Sequence, residues 1–266
     1  METTEPGTLD LSFQDYTQRQ LHEISLEGIQ ASVPKIMPSG HFTYKNSYWD
    51  PEPYEGFAIL SMIQDNPGNH VLDEKLREIQ IEIASVFQNP GSYYSLPPAS
   101  YHQTIANTLS AERFQKHIQI PGLEKEYPEI IENSFRKIRS YHENEPIRMS
   151  MVGLSIFKTA IGILGIFKKE EDYLRILRFR QKFYSHHPLQ ELGVRMTRPF
   201  IGHITLGYFE KSLLDSEAES LSRKVQELNE EIFTAPPVFF ISQAGLRKYQ
   251  NLSQFDRKDD FPYHHF

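Results

Sequence analysis

The chain has no cysteine among its 266 residues. Disulfides and thiolate metal sites are therefore excluded, and a reducing, cytoplasmic setting fits. Its first ten residues, METTEPGTLD, are acidic and lack the basic start and apolar run of a signal peptide. A long hydrophobic run is missing too. The best candidate, residues 151–167, spans about 17 residues and carries Lys158 near its middle, which is marginal for a bilayer. Interruption by Lys158 and Thr159 suits two buried strands better than one membrane span. Positive charge is scarce: 28 Lys and Arg against 35 Asp and Glu leave a net charge of -7, with no obvious basic face. That balance favours a small-molecule substrate or a nucleic-acid end over duplex nucleic acid.

Hydrophobic residues are plentiful at 39%, with 12% aromatic, enough for one large domain or two small ones. Residues 1–56 stand apart. A helix is expected within 9–29, and 33–53 reads as an irregular loop, rich in Pro, Gly and Ser, with an aromatic-dense HFTYKNSYW segment. From residue 57 the chain runs through one pattern twice. FAILSMIQ (57–64) reads as a strand. Leu72, Leu76, Ile79, Ile83 and Val86 follow at helical spacing, and a turn leads into SYHQTIAN. The second pass has AIGILGIF (160–167), then Tyr173, Ile176, Phe179 and Phe183 on a helix, then FIGHITLGYF. The offset is about one hundred residues, the signature of a repeat. Broken helical material over 111–141 and a helix over 213–232 follow the two His-bearing segments. Each half then closes with a strand, 147–157 and 238–246. The lobes are expected at about 57–157 and 158–266.

His102-Gln103-Thr104 and His203-Ile204-Thr205 fall at the same point of the two halves. On a strand, residues i and i+2 share a face, so each element sets an imidazole beside a hydroxyl. Two such pairs across a cleft would surround a phosphate. The hydroxyls would bind its oxygens, one neutral imidazole would take a proton from water, and one imidazolium would protonate the leaving oxygen. With eleven His and eleven Thr, about half a match to His-x-Thr is expected by chance. The third match, His41-Phe42-Thr43, lies in the loop before the repeat and reads as a loop residue.

YHQTIAN and FIGHITLGYF resemble the paired H-x-[ST] elements of the two-histidine (2H) phosphoesterase superfamily, and LPPASYHQT resembles the approach to the first element in one of its branches. The likeness covers most of 57–246. Gln103 stands where an apolar residue is more usual. The resemblance implies an α+β, bilobal fold in which two pseudo-symmetric antiparallel sheets with outer helices enclose a central cleft. It implies a metal-independent phosphodiesterase that opens a cyclic phosphate of a nucleotide or RNA end, with no cofactor, catalysed by His102, His203, Thr104 and Thr205. The alternative is a nucleotide-binding protein of the same fold without catalysis. An unrelated α+β protein with structural His-Thr pairs is the third reading.

Arg195 and Arg198, just before the second element, read as phosphate clamps or as solvated loop arginines. Tyr94, Tyr48 and Trp49 read as base-stacking groups or as packing. Tyr101 alternates with His102 and should face into packing. Tyr208, five residues after His203, should face away from it on a regular strand. His186-His187 and His264-His265 lack carboxylates at ligand spacing and read as a helix end and a tail rather than metal sites. Met149 and Met151 read as core, and the KKEED run at 168–172 as a solvated helix start.

Overall fold

In the computed structural model, residues 9–138 and 145–266 are described. The first eight residues and the end of the expected 111–141 helical stretch, including Tyr141, lie outside them. Two helices open the chain, α1 (Phe13–Glu23) and α2 (Leu26–Ser32). The expected single helix is broken because Ser25 caps a new one, its side chain accepting from the Gly28 N–H. The aromatic segment is a β-hairpin rather than a loop: β1 (Phe42–Lys45) pairs with β2 (Tyr48–Pro51), and Asn46 and Ser47 supply the positive φ angles of a tight turn.

Then come β3 (Gly56–Met62), α3 (His70–Ala84), β4 (Tyr93–Ser95), β5 (His102–Ser110), α4 (Ala111–Phe114) and, after a π turn, α5 (Tyr127–Lys137). Next are β6 (Ile147–Ile156), β7 (Ala160–Phe167), α6 (Glu170–Tyr184), α7 (His187–Glu191), β8 (His203–Phe209) and α8 (Asp215–Thr234). The chain ends with β9 (Val238–Ile241), β10 (Gln243–Asn251), β11 (Gln254–Asp256) and β12 (Tyr263–His265). The expected apolar stripes are the buried faces: Leu72, Leu76, Ile79 and Ile83 on α3, and Tyr173, Ile176, Phe179 and Phe183 on α6. Met149 and Met151 are fully buried on β6. The 151–167 run is the β6–β7 hairpin, and among the described residues no helix is long and apolar enough to cross a membrane.

The architecture is mixed α+β, with two five-stranded antiparallel sheets. One has the order β11-β10-β3-β5 with β12 also on β10; the other runs β4-β8-β7-β6-β9. The halves read from the sequence exchange strands. β6, at the end of the first half, lies in the second sheet. The closing strand of the second half breaks at Ser242, giving β9 to the second sheet and β10 to the first. The exchange ties the two sheets together, because each is completed by chain from the other half. The tail forms β12, and its His264 is buried against Phe135, Phe179 and Phe266.

Candidate active site

β5 and β8 are built alike. Met62 pairs with His102 and Leu60 with Thr104; Leu164 pairs with His203 and Gly162 with Thr205. Directly after each His-x-Thr the register slips by one residue, because Ile105 has no partner on β3 and Leu206 none on β7. A bulge of this kind bends the strand and re-aims the side chains beyond it. Asn107 and Tyr208, each five residues past its histidine, therefore turn onto the same face as His-x-Thr. The expectation that Tyr208 points away assumed an unbroken alternation, and the bulge overturns it.

That shared face lines one cleft of about 380 Å³ holding His102, Thr104, His203, Thr205 and Arg198. Among the described residues no carboxylate lines it, and Arg198 is its only formal charge. Arg198 is exposed, donates to Asn107 Oδ1 at 3.1 Å, and meets no carboxylate among the described residues. Neither threonine hydroxyl is engaged by another described residue. Among the described residues the cleft thus sets two unengaged hydroxyls and one guanidinium on the same face as the two imidazoles.

The two imidazoles are anchored identically. His102 Nδ1 lies 2.6 Å from the Ser100 carbonyl, and His203 Nδ1 lies 3.1 Å from the Ile201 carbonyl. A carbonyl only accepts, so Nδ1 carries the proton and Nε2 remains as the free acceptor in both neutral rings. Each ring also meets a phenylalanine edge-on, Phe255 for His102 and Phe157 for His203. Burial lowers the pKa of both to about 4, only partly offset by the carbonyls. The other histidine and Arg247 push His102 further down, and Arg198 does so for His203. Both rings are therefore neutral at pH 7 in the free protein.

Two helices hold the strands from behind. Gln80 of α3 donates to the carbonyls of Leu96 (2.8 Å) and Leu206 (2.7 Å), and Arg180 of α6 to those of Arg198 (2.9 Å) and Ile105 (2.8 Å). Each side chain thus takes the carbonyl of one bulge and one in the approach to the other half's histidine. The Arg180 guanidinium also pairs with Asp10 at 3.3 Å, with both side chains nearly fully buried. Asp10 in turn accepts from the Phe200 N–H at 2.8 Å. Gln20 of α1 donates to the carbonyls of Gly165 and Gly202, so the N-terminal segment braces the turn before His203. Near His102 the equivalent ion pair is Arg247–Asp65, at 3.1 Å and buried.

The remaining sequence candidates lie elsewhere. Arg195 is exposed and does not line the cleft. Tyr94 stacks on Phe42 at 3.8 Å and meets Trp49 at 5.3 Å, so both pack the hairpin rather than line the cleft; Tyr48 is exposed at its tip. Tyr101 is buried, as its alternation implied. His41 packs edge-on against Tyr54 and Tyr208, two cleft-lining rings, without lining the cleft itself. His186 is buried beside Lys137, and His187 faces Glu191 on the surface. No group of three or more His, Cys, Asp or Glu converges as a metal site among the described residues. Asn107, Tyr54, Tyr249, Phe157 and Phe255 line the cleft without a sequence signal. Their positions depend on bulges and on strands exchanged between halves.

No family model matches the chain, and no curated protein does. Among solved structures it is similar to the conserved protein of unknown function ATU0111 from Agrobacterium tumefaciens. The TM-score is 0.55 and identity 15%, over 83% of this chain and 90% of that one. TT0787 of Thermus thermophilus matches at TM-score 0.40 and 13% identity, over 80% of this chain and 94% of that one. The first likeness establishes a shared fold.

Proposed function

We propose that the chain is a metal-independent phosphodiesterase that opens a cyclic phosphate of a nucleotide or RNA end. The observation that carries this reading is the pair of imidazoles, both fixed as Nδ1–H tautomers and both lining one cleft in which, among the described residues, there is no carboxylate and the two threonine hydroxyls and Arg198 stand unengaged by any acid. The likeness of the two His-x-Thr segments to the two-histidine superfamily supports it. Thr104, Thr205 and Arg198 bind the phosphate oxygens. One imidazole takes a proton from water as the water oxygen attacks phosphorus. The other, protonated, gives its proton to the leaving ribose oxygen as the P–O bond breaks. Water plus cyclic diester yields a monoester, and proton exchange with solvent resets the pair. A bound phosphate anion favours the charged imidazole and so supplies the acid form that burial disfavours.

The burial of both rings, which disfavours their charged forms, favours a second reading, nucleotide binding without turnover. Incubating the protein with a nucleoside 2′,3′-cyclic phosphate in EDTA between pH 5 and 8, followed by ³¹P NMR, separates the two. Appearance of a monoester signal is expected. Saturable binding with no monoester at any pH supports the second reading, and activity that EDTA abolishes and a divalent ion restores contradicts the metal-free mechanism.

A further inference from the structure

Gln103 is the residue between the first histidine and its threonine, and its side chain is fully buried. The same position of the second element holds Ile204, also buried. An amide in place of an alkyl group needs partners, and Gln103 finds them across the cleft floor. Its Oε1 accepts from the His203 N–H at 2.6 Å. Its Nε2 donates to the Ile201 carbonyl at 3.0 Å and to the Thr104 carbonyl at 2.8 Å. A backbone N–H only donates and a carbonyl only accepts, so this amide orientation is dictated; the flipped one would break all three bonds. The Ile201 carbonyl is the same atom that holds His203 Nδ1. One side chain on the first His-x-Thr strand therefore grips both ends of the turn that sets the tautomer of the second histidine.

We propose that the Gln103 amide is a positioning residue, which fixes the 201–203 backbone so that His203 presents Nε2 to the cleft in register with His102. Its catalytic consequence rests on the acid–base reading above; its structural content does not. Because His102 is anchored by Ser100 on its own side, loss of the amide should reach His203 alone.

The test is ¹⁵N NMR of histidine-labelled protein at pH 7, with the two rings assigned by signal loss in His102→Ala and His203→Ala. In the unaltered protein both rings should show a protonated Nδ1 and a bare Nε2. In Gln103→Met, which keeps the volume and removes the amide, His203 should become a mixture of tautomers while His102 stays as it was. In the cyclic-phosphate assay that variant should lose kcat roughly 10²-fold with little change in KM, the penalty of a misplaced group. A folded Gln103→Met in which neither ring changes, or in which both change alike, overturns the proposal. If the variant does not fold, hydrogen exchange in the unaltered protein decides: slow exchange of the Gln103 amide and His203 N–H protons supports it, and fast exchange overturns it. An unaltered protein without turnover would sink the phosphodiesterase reading and leave the tautomer result standing.

Discussion

Gln80 and Arg180 occupy the same turn of two equivalent fifteen-residue helices, α3 and α6, one hundred residues apart. Each reaches under the sheets to two carbonyls, one on a bulge and one before a histidine. Gln80 does this as a neutral amide and needs no counter-ion. Arg180 brings a charge into the core, and the chain answers with Asp10 from the segment before the repeat. The difference explains why that segment belongs to the site. Asp10 holds Phe200 and Gln20 holds Gly202, so the second histidine is braced by the segment before the repeat, whereas the ion pair near the first, Arg247–Asp65, comes from within the repeat.

The largest expected effect concerns a property the two histidines share. With both pKa values near 4, the species with one neutral and one charged ring declines as pH rises through that value. Since kcat/KM reports the free enzyme, it should fall about tenfold per unit from pH 5 upward, roughly 10³-fold by pH 8. The kcat profile should extend to higher pH, because bound phosphate restores the charged form. A kcat/KM that is flat across this range would mean that the two burials do not act alike.

Arg180→Gln turns the second helix into a copy of the first. It removes the guanidinium partner of a buried carboxylate and should destabilise by about 3–5 kcal/mol in denaturant titration. Gln80→Ala takes the side-chain donor from the Leu96 carbonyl and leaves the Leu206 carbonyl with only the Leu96 N–H, and should cost less, about 1–3 kcal/mol. Adding Asp10→Asn to Arg180→Gln should recover part of the loss. Equal costs for Arg180→Gln and Gln80→Ala would remove the distinction between the charged and neutral braces.

Thr104→Ala and Thr205→Ala each delete one hydrogen bond to the phosphate and leave proton transfer intact. Each should cost about tenfold in kcat/KM, near the roughly 1.5 kcal/mol of a bond to a charged group, and the two costs should match. Unequal costs would show that the phosphate sits off the pseudo-symmetric centre.

A last effect lies outside the cleft. His264 is buried among aromatic rings, and burial lowers its pKa to about 4. The unfolded chain binds this proton below about pH 6.5 while the folded chain resists it. Its contribution is therefore present above about pH 6.5 and lost as pH falls toward about 4, up to about 3 kcal/mol. His264→Phe should flatten that slope in pH-dependent melts; an unchanged slope would assign it to the cleft pair.

Much of this was legible in the sequence and some was not, for physical reasons. The helices α3, α6 and α8 were readable because apolar residues recur at helical spacing against a polar face. The two His-x-Thr pairs were readable because i and i+2 share a strand face. Asn107 and Tyr208 were not, because a bulge leaves no mark in hydrophobic alternation. The strand exchange escaped too: β9 and β10 are one apolar run, and nothing local says which sheets Ser242 divides. Gln103 was visible only as a departure from an apolar pattern. Its partner, the backbone around His203, is one hundred residues away.

The most direct measurement is a kinetic double-mutant cycle at His102 and His203 on one cyclic-phosphate substrate, with folding checked by thermal melt. Acid and base acting on one phosphate predict a loss of roughly 10²–10⁴-fold for either alanine variant. The double variant should lose little more than the worse single one, because residues acting as a unit are not additive. A His102→Ala protein near full activity beside an inactive His203→Ala, or losses that multiply, would contradict the pair.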